Sequence, residues 1–155
     1  MNNYLEAEFK KIKQTTNQEY LSVGFIYNTA LKSKIFFNSN GWHHLRYDNN
    51  RSERSRLVQL NKFRFLKDAI ATIKKSTTIQ EYRRSEVTNW RLKKESTIEW
   101  FAFWSIISFI KKTRIRVIVR RVGGLNGQYH FWSVMPFWSL KHGERKIGSA
   151  NLEDE

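Results

Sequence analysis

The sequence predicts an α+β domain in which N-terminal helices pack on one face of an antiparallel sheet of about four strands. Apolar residues recur at helical spacing near the N-terminus and again in residues 52–75, with two β-rich runs between these segments. Three or four more β-type runs follow, separated by turn-forming residues. The 155 residues and 40% hydrophobic content fit a single core. We therefore expect one domain over residues 1–142 and a flexible acidic tail over residues 143–155.

The N-terminal region predicts a short helix followed by a hairpin. Residues 3–15 carry apolar side chains at helical spacing among charged ones, which is typical of an amphipathic helix. The β-rich runs at about residues 22–28 and 33–38 are separated by turn-prone residues and predict a β-hairpin. Residues 38–41 then end the second strand and can cap a following helix.

Residues 52–75 predict a longer amphipathic helix. Its apolar stripe consists of Leu57, Leu60, Phe63, Leu66, Ile70 and Ile73. Most of its cations lie off this stripe. Beyond Ser76 the pattern predicts a strand over Thr78–Arg83 and a polar loop through Lys94.

Residues 97–109 fit either a helix or a strand. The spacing Ser96-Thr97-Ile98-Glu99 is that of a helix capping box. The residues that follow are rich in aromatics and isoleucine and are apolar on both faces, which favours a buried central strand. We predict the strand.

The last strands are predicted by alternation. Ile115, Val117 and Val119 alternate with three cations of the opposite face, Arg114, Arg116 and Arg120. The glycine-rich segment 123–127 predicts a hairpin loop, and the sequence QYHFWSVM predicts the strand that completes the pair.

The charge points to a polyanionic partner. The chain has 28 Lys and Arg against 14 Asp and Glu, a formal net charge of +14. Cations cluster in residues 111–121, with six cations and no acid, and in residues 43–75, with nine cations and three acids. We expect RNA as the partner.

The composition also limits the alternatives. The chain contains no cysteine, so disulfides and thiolate metal sites are excluded. The N-terminus lacks the apolar segment of a secretory signal, and the apolar run at residues 98–110 is too short to cross a bilayer. We expect a cytoplasmic protein that does not contact membranes.

The residue types favour metal-free cleavage of RNA over other chemistries. The sequence has no HExxH motif, no cluster of carboxylates and no GxSxG turn, so we expect neither a metal nor another cofactor. Attack of a ribose 2′-hydroxyl on its own phosphate needs a base, an acid and cations. The candidates are His43 or His44, Arg46, Arg51, Arg54, Arg116, His130 and Ser133.

Strand parity leaves one choice among these candidates open. His130 and Trp132 share one face of the last strand, while Phe131, Ser133 and Met135 share the other. If Phe131 is in the core, His130 faces the arginines and Ser133 is buried, unless a β-bulge reverses this locally.

Ordered motifs over roughly residues 22–135 resemble a known family. They are KIFFNSNGWHHL, a helix carrying Arg54 and Arg56, then RIRVIVRR and HFWSVM. This order resembles the BECR ribonuclease group, which spans barnase, EndoU, the colicin tRNases and RelE-like toxins, including phage-borne relatives. The resemblance implies a helical part before a four-stranded antiparallel sheet whose exposed face cuts RNA without metal.

The resemblance also implies roles for individual residues. His44, or His43 in its place, corresponds to the general base, while Arg46, Arg54 and Arg116 correspond to phosphate ligands. Ser133 corresponds to a hydrogen-bond donor to the phosphate, and Trp132 to a ring on which a base stacks. We add four cations as RNA contacts because of their clustering: Arg51, Arg56, Arg114 and Arg120. A toxin of this kind implies an acidic antitoxin or immunity protein as a partner.

Two other functions fit the same residues. A non-catalytic module that binds RNA or DNA accounts for the charge and the aromatic residues without using His44. A basic structural protein of a ribosome-like particle fits less well because such proteins seldom contain six tryptophans.

Overall fold

The computed structural model describes residues 3–108 and 113–137. Its helices are α1 Asn3–Val23, α2 Ser39–Arg46, α3 Arg56–Arg64 and α4 Leu66–Lys75. Its strands are β1 Phe25–Asn28, β2 Ser33–Phe36, β3 Glu81–Asn89, β4 Lys94–Ser108, β5 Thr113–Val122 and β6 Tyr129–Phe137. The chain is therefore α+β. Predictions that concern Lys111, Lys112 and residues 138–155, including the acidic tail, lie outside the described residues.

One sheet contains all six strands of the described part of the chain, in the order β1-β2-β6-β5-β4-β3. Strand β2 is parallel to β6, with Ile35 opposite Tyr129 and Phe36 opposite His130, and the other neighbours are antiparallel. The prediction of about four strands was therefore too low. The N-terminal hairpin was predicted correctly, but its pairing with β6 depends on a contact between distant parts of the chain.

The helices differ from their predicted lengths. Helix α1 continues to Val23 because Phe9, Thr16 and Tyr20 keep one face buried. The helix predicted over residues 52–75 is divided at Phe65, whose φ of −96° and ψ of 6° separate α3 from α4. None of the helices in the described ranges has the length and apolar content needed to cross a membrane.

The strand after α4 begins later and ends later than predicted. It spans Glu81–Asn89 instead of Thr78–Arg83, and it pairs with β4 over its whole length. Its residues are mostly exposed because it is an edge strand, so alternation of polar and apolar residues is weak there. Residues 97–108 are part of β4, so the helical alternative was wrong for them, and residue 109 lies outside the described residues.

The helices pack on one face of the sheet. The main core joins helical side chains to Phe101, Phe103, Ile115, Val117, Val119, Phe131 and Val134. The opposite face carries a second, smaller cluster of buried side chains that contains no helical residue: Ile98, Trp100, Ala102, Ile118 and Trp132. The sheet therefore offers one face that the helices do not cover.

Gly41 brings α2 against β6. A Cβ atom at this position would overlap the Tyr20 hydroxyl and the carbonyl oxygen of Phe131. Asn38 caps the helix by accepting a hydrogen bond from the Gly41 N–H at 3.3 Å, as the sequence predicted. His44 lies one turn after Gly41, so this close approach sets where His44 meets the sheet.

Candidate functional site

A groove of about 1020 Å³ lies on the face of the sheet opposite the main core. One wall comes from α2 and the loop after it, through His43, His44 and Arg51. The other comes from β3, through Ser85 and Val87. The floor is formed by four side chains of β4, β5 and β6: Trp100, Arg120, His130 and Trp132.

A row of cationic and aromatic residues crosses the sheet at this groove. Arg83 of β3 is opposite Trp100 of β4, Trp100 is opposite Arg120 of β5, and Arg120 is opposite His130 of β6. Residues opposite each other in a sheet share one face. The sheet thus assembles residues from four strands into one basic strip.

Trp132 anchors the groove floor. Its ring lies 3.9 Å from the His44 ring, centroid to centroid, at an interplanar angle of 19°, and the Arg120 guanidinium carbon is 4.3 Å from its centroid. A register shift in the β5–β6 pairing falls at Trp132, since Ser133 is opposite Ile118 while Phe131 is opposite Val119. Trp132 is 9% exposed, so it supports His44 and does not offer the open ring expected for stacking a base.

His44 is held by Arg54. The Arg54 Nε donates to the carbonyl oxygens of His44 and Tyr47, both at 3.2 Å, and its Nη2 lies 3.3 Å from His44 Nε2. A guanidinium has no acceptor, so a hydrogen bond between these atoms requires His44 Nε2 to accept, which assigns the ring proton to Nδ1. The base expected at His44 therefore already has its Nε2 lone pair engaged.

His130 has a different environment. Burial and the neighbouring Arg120 lower the pKa of His130 to about 4, although a hydrogen bond to the Gln128 backbone opposes the shift. The ring is therefore neutral at pH 7. Its Nε2 atom is buried and has no hydrogen-bond partner among the described residues. His130 thus has an unengaged nitrogen lone pair at the groove floor.

The groove floor carries further polar atoms without partners in the described part of the chain. These are Trp100 Nε1, Trp132 Nε1 and Arg120 Nε, all N–H donors. Burial also lowers the pKa of Arg120. Buried donors normally have a partner, so this floor is suited to a ligand or water that accepts hydrogen bonds.

The loop after α2 presents Arg51 to the groove. The Asp48 carboxylate accepts hydrogen bonds from the backbone N–H groups of Asn50 and Ser52, both at 2.9 Å, and Arg51 has a positive φ of 62°. Asp48 also lines the groove, but one of its oxygens is used within this turn. His43 is exposed and stacks on Tyr47 with ring centroids 4.4 Å apart.

Several predicted site residues lie elsewhere. Arg46 sits over Trp42 and Tyr47 and lines a separate depression beside α1. Arg56 forms an ion pair with Glu6 of α1.

Two of the β5 arginines are also outside the groove. Arg116 is 2% exposed and lies 3.5 Å from a carboxylate oxygen of Glu81, and Arg114 lies over the Trp104 ring. Their alternation with core residues was predicted correctly, but Arg116, expected on an exposed face, is buried.

Ser133 is fully buried and accepts a hydrogen bond from Lys62 Nζ at 2.7 Å. His130 therefore lines the groove and Ser133 is buried, as the parity argument expected, and the correspondence that placed Ser133 in the site does not agree with the structure. The shared face of Phe131, Ser133 and Met135 was wrong, because the bulge at Trp132 places Ser133 opposite Ile118 and Met135 opposite Arg116. The interpretation of the sequence missed Trp100, Ser85 and Val87. The alternation of Ile98, Trp100 and Ala102 was the available signal for Trp100.

Among the described residues, no three His, Asp or Glu side chains are grouped so that they could hold a metal ion. Comparison of the chain with protein-family models, curated proteins and solved structures gives no match. The geometry of the groove is therefore the basis for assigning a function.

Proposed function

We propose that the protein is a metal-independent endoribonuclease of the BECR type, which binds RNA in the groove and cleaves it to a 2′,3′-cyclic phosphate. The observation that carries the proposal is the position of His130. Its neutral ring lies beside the Arg120 guanidinium under a basic groove, and its buried Nε2 atom has no hydrogen-bond partner among the described residues. A base next to a cation is the arrangement that intramolecular attack on a phosphodiester requires.

The phosphate would lie over Arg120. Arg120 is partly exposed, so its guanidinium offers donors to the non-bridging oxygens. Arg51 adds a cation from the groove wall. These donors act most strongly where charge accumulates, on the oxygens of the pentacoordinate phosphorus, so they stabilise the transition state.

His130 Nε2 is buried beneath the groove surface, so the floor must open on substrate binding for this atom to take the proton of the 2′-hydroxyl. As the proton leaves, the 2′-oxygen bonds to phosphorus and the bond from phosphorus to the 5′-oxygen breaks, and that oxygen takes a proton from the His43 ring. A bound phosphodiester is an anion, and its charge beside His130 raises the pKa of the ring from the low value that Arg120 and burial impose. Substrate binding thus strengthens the base.

His44 is then a positioning residue. The resemblance implies a general base at His44, but Arg54 already donates to Nε2 of this ring. Its ring stacks on Trp132, which in turn lies under Arg120. We assign the base to His130 and the alignment of the groove floor to His44.

The test is incubation with RNA and with DNA of matched sequence in EDTA, followed by end-group analysis of the products. We expect RNA cleavage with 2′,3′-cyclic phosphate ends and no cleavage of DNA, which lacks the attacking hydroxyl. His130→Gln should lower kcat on the order of a hundredfold or more, since general acid–base groups typically contribute this much. His44→Phe keeps the ring stack and should lower kcat much less.

The matched control is Lys74→Gln, since Lys74 is an exposed cation on α4 outside the groove. It should cleave RNA like the wild type. Cleavage that stops in EDTA, cutting of DNA at a similar rate, or full activity of His130→Gln would each show the assignment to be wrong.

A non-catalytic nucleic-acid-binding module is the second candidate. It is favoured by the burial of His44 and His130, which are 3% and 7% exposed and are therefore also suited to structural roles. RNA that is bound in the groove but never cut would support this function.

As a toxin-type nuclease in the cytoplasm, the protein would need an inhibitor in the cell that makes it. The formal net charge of +14 suits an acidic antitoxin or immunity protein. Covering Arg51 and His43 at the groove rim would be enough to exclude RNA.

A further inference from the structure

A hairpin arm, formed by residues 83–97 of β3 and β4, extends from the side of the groove. Residues 86–95 are all exposed. At the turn Trp90 is 77% exposed and Leu92 is 71% exposed. Tryptophan is highly buried on average, and pairing of two strands does not need an indole at the turn. The arm therefore carries an apolar ring that folding does not explain.

The arm is basic. It carries Glu86 and Glu95 against five cations, Arg83, Arg84, Arg91, Lys93 and Lys94. Glu86 is already engaged, since it forms an ion pair with Arg84 at 2.7 Å and accepts a hydrogen bond from Thr97. The Arg91 guanidinium carbon lies 5.2 Å from the Trp90 ring centroid. The turn thus combines an exposed aromatic ring with three nearby cations.

The base of the arm is continuous with the groove. Ser85 and Val87 of the arm line the groove wall, and Arg83 begins the row that leads through Trp100 and Arg120 to His130. An RNA strand that leaves the groove beside Ser85 would therefore follow the arm to the turn that carries Trp90.

The groove itself offers little for base stacking. Trp100 and Trp132 are 6% and 9% exposed, so their rings are closed to a nucleobase. Unpaired bases are usually held by stacking on open aromatic rings next to cations. Trp90 provides an open ring of this kind.

We propose that the arm binds an unpaired RNA segment next to the cleavage site, with a base stacked on Trp90 and phosphates on Arg91, Lys93 and Lys94. The inference rests on the proposed function in placing RNA in the groove, and it makes single-stranded RNA the preferred substrate. A base-paired segment cannot stack on Trp90, because its bases already stack on each other.

The test uses 2′-O-methyl RNA, which lacks the attacking hydroxyl and stays intact. Dissociation constants are measured for single strands of about 4 and about 20 nucleotides and for a duplex of the longer sequence. Trp90→Ala should weaken binding of the longer single strand on the order of tenfold, the size of one lost stacking interaction. It should reduce the ratio of long-strand to short-strand affinity by the same factor.

The matched control is Tyr4→Ala, because Tyr4 is an aromatic residue of α1 that is 70% exposed and lies outside the groove. It should bind every RNA like the wild type. Equal affinity of Trp90→Ala and the wild type for the long strand, or an equal loss on the duplex, would overturn the role of the arm.

The remaining outcomes separate the two proposals. RNA binding that depends on Trp90, with no cleavage of unmodified RNA, would support the RNA-binding role of the arm and contradict the ribonuclease activity. If the wild type and Trp90→Ala cleave long single strands equally well, only the proposed role of the arm is contradicted. If the wild type binds vesicles of anionic phospholipid through Trp90 and does not bind RNA, both proposals are wrong.

Discussion

His44 and His130 line the same groove, but their ring nitrogens have different partners. Arg54 engages Nε2 of His44, whereas Nε2 of His130 has no hydrogen-bond partner among the described residues. Both residues were candidates from the sequence, because imidazoles close to cations suit RNA cleavage. It could not rank them, because the difference depends on which distant side chain reaches each ring.

The environment of His130 predicts a dependence of stability on pH. Its pKa is about 4 in the folded protein and 6.5 as the ordinary value, so the unfolded chain binds the proton more readily between these values. The contribution of the neutral His130 ring to the stability of the folded protein is fully present above pH 6.5 and is lost as the pH falls towards 4. We expect this residue to account for a loss of about 3 kcal/mol in the free energy of unfolding over that window.

Urea unfolding at several pH values checks this expectation. The wild type should lose stability on acidification more steeply than His130→Gln, whose side chain does not titrate. If the two proteins follow parallel curves between about pH 7 and pH 4, the low pKa is not a property of the folded state.

At the scale of elements, the sequence predicted the strands with strong alternation and missed features set by long-range packing. β5 and β6 were predicted because alternation assigns each side chain to a face. The break at Phe65 was not predicted, because the apolar stripe runs through it without interruption. The pairing of β2 with β6, which makes the sheet six strands wide in the described residues, leaves no local pattern.

Helix α2 offers a test of how the fold positions the site. Gly41→Ala introduces a Cβ that overlaps the Tyr20 hydroxyl and the Phe131 carbonyl, so α2 must move away from β6. We expect the free energy of unfolding to fall by about 1–3 kcal/mol, the usual effect of overpacking. The stack of His44 on Trp132 should loosen with it, which tryptophan fluorescence can report.

The control for this change is Ser39→Ala, at the exposed first residue of the same helix. Alanine favours a helix, and the change adds no atom at this exposed position, so stability should stay within about 0.5 kcal/mol of the wild type. Similar stability of Gly41→Ala and Ser39→Ala would mean that α2 is not held as closely as the geometry indicates.

At the scale of the whole molecule, composition indicated a polyanionic partner but not its location. The arginines of residues 46–56 are close together in the sequence. Even so, Arg51 lines the groove, while Arg46 and Arg56 lie near α1. Arg83 and Arg120 are distant in sequence and belong to one row across the sheet. Charge clusters in the sequence therefore predict a class of partner, and the sheet register shows which cations share one surface.

This distribution predicts how RNA affinity responds to salt. Each phosphate contact to a single strand contributes about −0.7 to the slope of log K against log salt concentration. Arg51, Arg83 and Arg120 together with Arg91, Lys93 and Lys94 of the arm make six such contacts, so the slope should be about −4, measured by fluorescence anisotropy with uncleavable RNA. Arg51→Gln should reduce its magnitude by about 0.7, while Lys74→Gln on α4 should leave it unchanged. An affinity that barely changes with salt, or equal slopes for Arg51→Gln and the wild type, would mean that phosphates do not occupy the groove.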